Sequence, residues 1–204
     1  MTPLAELEAE IAPRTPADRD DALRRGLLAG APDAARELCE CFGPKLLAFA
    51  AARFADDRPT AEDIMVQSLA KAAANIRLYN PRRSTFAAWL YGIARREIQD
   101  ELRRRKRMRS IPADAQMPIS EAADLPDGSD MAALAGERLD AQREVAGLAA
   151  VLSPLELDVL TLSCIDELSA REIGRVVGRS ERAVHSLLHR ARTKARERLA
   201  HDEP

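Results

Sequence analysis

Apolar positions along this chain recur at helical spacing and never in sustained alternation. Leu38, Phe42, Leu46 and Phe49 fall on one face of a stretch from about Asp33 to Phe54, which Gly43-Pro44 is expected to disturb. Ile64, Met65, Leu69, Ala72 and Ile76 make a second stripe, starting after Thr60, which with Asp63 gives an N-cap signal. Asn80-Pro81 enforces a loop in "LYNPRRS". A third helix then begins near Ser84, with Phe86, Leu90 and Ile93 on its packing face. Apolar periodicity returns from Glu137 to about Leu199.

That second block carries two capping boxes, Ser153-Pro154-Leu155-Glu156 and Ser169-Ala170-Arg171-Glu172. The latter opens a short helix with Ile173, Val176 and Val177, ended by Gly178. Ser180 caps a longer one striped by Val184, Leu188, Ala191, Ala195 and Leu199. A short helix, a glycine turn and a longer helix predict a helix-turn-helix. The fold class expected is all-α, two small helical domains joined by a linker.

Between the blocks, residues 111–136 hold five acidic residues, three prolines and two glycines with no Lys or Arg, the composition of an acidic, extended linker. The resulting division is an acidic N-terminal extension over 1–21, a first domain over 22–109, a linker over 110–137 and a second domain over 138–200.

Composition narrows the function. Of 204 residues, 46% are apolar and 3% aromatic, which suits helical bundles filled by Ala and Leu. The formal charge of −2 means that any nucleic-acid binding comes from local patches. The N-terminus lacks the pattern of a signal peptide, and no apolar run is long enough to span a membrane. Three cysteines, Cys39, Cys41 and Cys164, form no disulfide framework and suit a reducing cytoplasm. Cys39 and Cys41 are expected at core and rim positions. His185 and His189 lie four apart, but no further ligand is placed to complete a metal site. Neither a phosphate loop nor a nucleophile motif is present, so the chain reads as a non-enzyme with no cofactor.

Two basic faces stand out. The segment "FAAWLYGIARREIQDELRRRKRMR" contains the sole tryptophan and ends with six cations in seven residues, far more than a helix dipole needs. Aromatic rings beside cations are suited to single-stranded bases. The last helix displays Arg182, His185, Ser186, His189, Arg192 and Arg196 opposite its apolar stripe, as a recognition helix does in a major groove, with Arg190, Lys194 and Arg198 directed at phosphates. A duplex reader tethered to a single-strand binder suits a protein that locates a site and melts DNA beside it. The rivals are a dimeric helix-turn-helix regulator and a redox or metal sensor.

These motifs resemble bacterial RNA polymerase sigma factors of the extracytoplasmic-function (ECF) group. "TAEDIMVQSLAKA" resembles the helix that docks on the β′ clamp helices, "YNPRRSTFAAWLYGIARREIQDELRRRKR" the strand-opening and minus-ten segment, and "LSPLELDVLTLSCIDELSAREIGRVVGRSERAVHSLLHRARTKARERL" the minus-thirty-five reader. The resemblance covers about 22–108 and 138–199. It implies that Asp63 and Gln67 meet the clamp helices, and that Tyr79, Asn80, Pro81, Arg82 and Arg83 form the loop receiving a flipped base. It places Trp89 and Tyr91 near the melted region or in the core. Arg95, Arg96, Arg103 and Arg104 would touch DNA near the minus-ten element; Arg182, His185, Ser186, His189 and Arg190 would face the minus-thirty-five duplex. The implied partners are core RNA polymerase (β′ clamp helices and β flap), promoter DNA and an anti-sigma factor, in the cytoplasm without membrane insertion. The chain departs from the family pattern at Val66, Arg96 and Leu187.

Overall fold

The computed structural model describes residues 16–110, 147–166 and 168–200. The N-terminal extension before Pro16 and most of the expected linker lie outside the described residues. The elements run in the order α1 (Pro16–Leu28), α2 (Pro32–Ala51), α3 (Arg58–Ala74), a 3₁₀ turn (Ile76–Leu78), α4 (Phe86–Arg109), α5 (Pro154–Ile165), α6 (Ala170–Val177) and α7 (Glu181–Ala200). Residues 147–151 are also helical, and no strand occurs among the described residues.

The helix limits follow from caps. Asp57 caps α3, its carboxylate accepting from the Thr60 amide at 3.1 Å, so Thr60 sits inside the first turn and not at the cap expected of it. An Asp acceptor is as good a cap as Thr, and Pro59 in the first turn loses no bond by lacking an N–H. Thr85 caps α4 and both Ser153 and Ser169 form reciprocal capping boxes. Gly43-Pro44 was expected to disturb α2, yet the helix runs through it. Leu38, Leu46, Phe49 and Ala50 are buried on either side of Pro44, and packing at roughly 1.5–3 kcal/mol per large apolar side chain offsets the lost backbone bond.

Helices α1 to α4 pack around one another, and α5, α6 and α7 make a second group. The two groups touch where α2 meets α5 and α4 meets α6. One continuous core joins them, from Leu38, Phe49, Phe86, Leu90 and Ile98 through to Val159, Leu162, Ile173 and Val184. Phe42, Tyr79, Phe86 and Trp89 form a linked ring cluster with centroid separations of 5.3–5.6 Å. Cys39 and Cys41 are both exposed, because the buried stripe of α2 runs through Leu38 and Phe42 and turns them outward. No helix among the described residues is long and apolar enough to cross a membrane.

Candidate nucleic-acid interface

The loop between the 3₁₀ turn and α4 is held from both ends. Asn80 Oδ1 accepts from the Arg82 amide at 2.9 Å, and the Asn80 carbonyl accepts from the Arg83 amide at 3.0 Å. These Asx-type bonds fix the turn that Pro81 begins. Behind it, Tyr79 is 2% exposed and its hydroxyl donates to the Ser84 carbonyl at 3.2 Å and to Asp20 at 3.4 Å. The same Asp20 oxygen accepts from the Phe86 amide at 2.7 Å. Burial pushes the Asp20 carboxyl up, against the pull of these two hydrogen bonds; burial beside Asp20 also pushes the Tyr79 phenol up. Tyr79 was expected among the base-receiving residues; its ring is turned into the core and backs the loop instead.

In front of the loop lies a cleft of about 1050 Å³. Arg77, Arg82 and Arg83 reach it from the loop side, Arg24 from α1, and Trp89 and Arg96 from α4; Arg175 and Val176 of α6 close another wall. No carboxylate lines it. A concentration of guanidinium groups against a half-buried indole suits a ligand with both phosphates and a stackable base. Sequence reading found Arg82, Arg83, Trp89 and Arg96. It missed Arg24, Arg77 and Arg175, which come from three separate elements and carry no shared motif.

The basic end of α4 is less free than its sequence implies. Arg103 pairs with Asp100, and Arg104 with Glu101 at 2.7 Å. Arg105 bonds Glu101 at 2.7 Å and also reaches Asp57, with its guanidinium 4.9 Å from the Phe54 ring centroid. It therefore fastens α4 to the cap of α3, and its hydrogen bond holds the Asp57 carboxyl below the usual range. Arg103 and Arg104 keep over half their side-chain surface exposed. Arg95 does not face open solvent; its Nε donates to Asp158 of α5 at 2.9 Å. Asp63 and Gln67 are exposed on α3 and share a groove of about 440 Å³ with Glu97, Asp100, Glu101, Arg104 and Arg107.

In the second group, α6 ends at Gly178, whose φ of 69° is the left-handed conformation a side chain resists. A Cβ on Gly174 would stand 2.6 Å from the Arg179 carbonyl oxygen, so the turn also needs glycine there. Ser180 Oγ accepts from the Ala183 amide at 3.3 Å at the start of α7. Val184, Leu187, Leu188 and Ala191 are buried, whereas Arg182, His185, Ser186, His189 and Arg190 are exposed. Leu187 thus belongs to the core and not to the exposed face. Arg190 Nε lies 3.6 Å from Glu156, so its head is shared with α5.

Residues 38–108 match the family Sigma-70 region 2, and residues 142–194 match Sigma-70, region 4. The relatives are ECF RNA polymerase sigma factors: BldN of Streptomyces coelicolor, 29% identical over 141 residues, and SigD of Mycobacterium tuberculosis and Mycobacterium bovis, 28% identical over 177 residues. The chain belongs to the sigma-70 family, in its ECF group. The SigD match covers 85% of this sigma factor and 81% of SigD; the BldN match covers 68% of it and only about half (51%) of BldN. Among solved structures, CnrH in complex with the cytosolic domain of CnrY aligns with a TM-score of 0.64 at 23% identity, over 90% of this chain and 99% of that one. The sigma factor RpoE in complex with the anti-sigma factor NepR from Bartonella quintana aligns at 0.61 and 23%, over 82% and 98%. These two likenesses are of fold.

The arginine cleft, the Asp63–Gln67 groove and the tail of α4 all lie within the region 2 match, apart from Arg24 and the α6 wall. The exposed face of α7 lies in region 4. Among the described residues of this sigma factor, no group of three or more His, Cys, Asp or Glu side chains is placed to hold a metal ion.

Proposed function

We propose that this sigma factor binds core RNA polymerase, carries it to promoters and helps open the DNA there, without catalysis of its own. The observation that carries the reading is the carboxylate-free arginine cleft beside Trp89, joined in one chain to a helix-turn-helix whose polar face is exposed. Region 2, over 22–109, takes the unpaired minus-ten strand: Asn80, Arg82, Arg83 and Arg96 at the cleft, Trp89 as the stacking surface, and Arg103 and Arg104 on the backbone. Region 4, over 138–200, presents Arg182, His185, Ser186 and His189 to the minus-thirty-five duplex, with Arg190 toward phosphate. Asp63 and Gln67 meet the β′ clamp helices, and region 4 meets the β flap. Each DNA contact is weak alone; core polymerase raises the effective concentration of one for the other by holding both at promoter spacing.

A place of action and one further partner follow from the same reading. The site of action is the cytoplasm, where core polymerase and DNA are. An anti-sigma protein is the expected regulator; CnrY and NepR occupy that position on the sigma factors this fold resembles.

The test is reconstitution. The full chain is mixed with core polymerase, and the complex is assayed on genomic fragments chosen by mapping transcription starts after overexpression. Retention on core and new start sites are expected. A chain that never associates with core would overturn the reading.

A further inference from the structure

Helix α1 precedes the residues that match region 2, yet it packs against the 3₁₀ turn and α2 and reaches the arginine cleft. Asp20, Leu23, Arg24 and Leu27 fall at helical spacing on its inner side, so two charged residues share the face that buries Leu23. Asp20 Oδ2 accepts from the Phe86 amide at 2.7 Å and from the Tyr79 hydroxyl at 3.4 Å. Those two residues flank the loop 80–85, so one carboxylate oxygen holds both of its ends. Arg24 stands one turn further along α1 and lines the cleft; its Nε is buried and has no hydrogen-bond partner among the described residues. We propose that α1 is a working wall of the strand site: Asp20 is the positioning residue that sets the loop, and Arg24 binds a backbone phosphate of the strand.

Sequence places Asp20 in an acidic N-terminal extension, where its carboxylate would be solvated. The fold sets it at the start of α4 instead. Phe86 is the first residue of that helix, and its amide is a donor that no residue within the helix can satisfy. Thr85 serves the Ala88 amide, and Asp20 serves the Phe86 amide from α1, with its negative charge at the positive end of the helix. Burial pushes the Asp20 carboxyl up, a cost that a residue serving only solubility would avoid by facing water. The Asn80–Arg83 turn is fixed by its own bonds; Asp20 fixes where that turn stands relative to α4, and with it the distance of Arg82 and Arg83 from Trp89. Arg24 supplies the other half of the site. A buried N–H without an acceptor is costly, and a buried arginine is ordinarily paired. The cleft offers no carboxylate and holds five further guanidinium groups, those of Arg77, Arg82, Arg83, Arg96 and Arg175. Like charges so gathered repel one another until an anion enters, and a phosphate oxygen is the acceptor that Nε lacks.

This inference rests on the reading of the cleft as a strand site, but the loop can be followed without DNA. Both bonds to Asp20 end on one oxygen, which the carbonyl of an asparagine can replace. Asp20→Asn and Asp20→Ala remove the same charge, so the difference between them reports the hydrogen bonds alone. In the full-length protein, amide hydrogen exchange over residues 79–86 should be about tenfold faster in Asp20→Ala than in Asp20→Asn, with exchange in α7 the same in both. Should Asp20→Ala fail to fold by circular dichroism, Tyr79→Phe removes the hydroxyl from the same oxygen and makes the test from the loop side.

Strand binding is measured with a random-sequence single-stranded oligonucleotide. Asp20→Ala should bind it about tenfold more weakly than Asp20→Asn. Arg24→Gln should lose about tenfold in affinity and lower the slope of log affinity against log salt by about 0.7, the share of one phosphate on a single strand. Arg24→Lys should keep the slope and recover only part of the affinity, since an ammonium lacks the planar fork. Equal exchange over 79–86 in the two Asp20 variants would overturn the positioning role, as would a rise that extends to α7 or one without weaker strand binding. An unchanged salt slope in Arg24→Gln, or a wild-type chain that takes up no oligonucleotide, would overturn the phosphate contact. A chain that binds the strand through Arg24 but never associates with core polymerase would keep the inference and remove the sigma-factor reading.

Discussion

Lys194 Nζ lies 2.8 Å from Glu156 Oε2, tying the middle of α7 to the N-terminal cap of α5. Glu156 also accepts from the Ser153 amide and hydroxyl, at 3.0 and 2.8 Å, so a single carboxylate fixes both a helix start and a helix crossing. Lys194 and the Ser153 donors hold its pKa at about 2, below an ordinary value of 4.5.

A carboxyl with a folded pKa below its unfolded one stabilises the fold above the unfolded value, and that stabilisation is lost as pH falls through the folded value. For Glu156 the window is about pH 4.5 down to about 2, and the loss is at most about 3 kcal/mol. Thermal unfolding followed across this range should therefore show an acid limb that Glu156→Gln flattens. At pH 7 the same variant should unfold several degrees lower. An unaltered acid limb would mean that Glu156 is not the group responsible.

Gly174 and Gly178 shape the helix-turn-helix by different means. Gly178→Ala should cost about 1–2 kcal/mol, from the left-handed backbone alone. Gly174→Ala should cost about 1–3 kcal/mol and also shift α7, because the obstacle is the Arg179 backbone and not a movable side chain. Duplex binding should fall in the second more than the first at equal stability. Denaturant titration paired with a duplex-binding assay separates the two.

Trp89 is half-buried, touching Tyr79 at 5.4 Å and Phe86 at 5.6 Å on one side and lining the cleft on the other. Its fluorescence should respond when a single-stranded promoter segment enters the cleft. Trp89→Ala should weaken that binding by about 1–3 kcal/mol. Phe86→Ala, at a fully buried position, should instead destabilise the protein by about 3–5 kcal/mol. Equal effects of both on folding, with none on strand binding, would make Trp89 a core residue only.

Charge removal should separate reading from holding. Arg182→Ala and His189→Ala should change which promoters are used. Arg103→Ala and Arg104→Ala should weaken all promoters alike and reduce the slope of affinity against salt by about one each. Freeing Asp100 from Arg103 adds repulsion toward DNA, which reinforces the loss there, whereas Glu101 keeps Arg105. Competition across a set of promoters at several salt concentrations checks both halves.

Sequence alone determined what depends on neighbours along the chain. The capping boxes at Ser153 and Ser169, the glycine turn at Gly178 and the apolar stripes of α2, α4 and α7 all act within a few residues, and helical periodicity expresses them directly. The family, too, was legible in those local motifs. Tertiary structure alone decided which polar residues remain free. Tyr79 looks like a loop aromatic until Asp20, 59 positions away, draws its hydroxyl inward. The cleft gathers Arg24, Arg77 and Arg175 from three elements, and Arg95 looks available until Asp158 meets it from 63 positions away. Helical spacing says which way a side chain points. Whether a partner waits there depends on contacts between distant elements, and these exist only once the chain has packed.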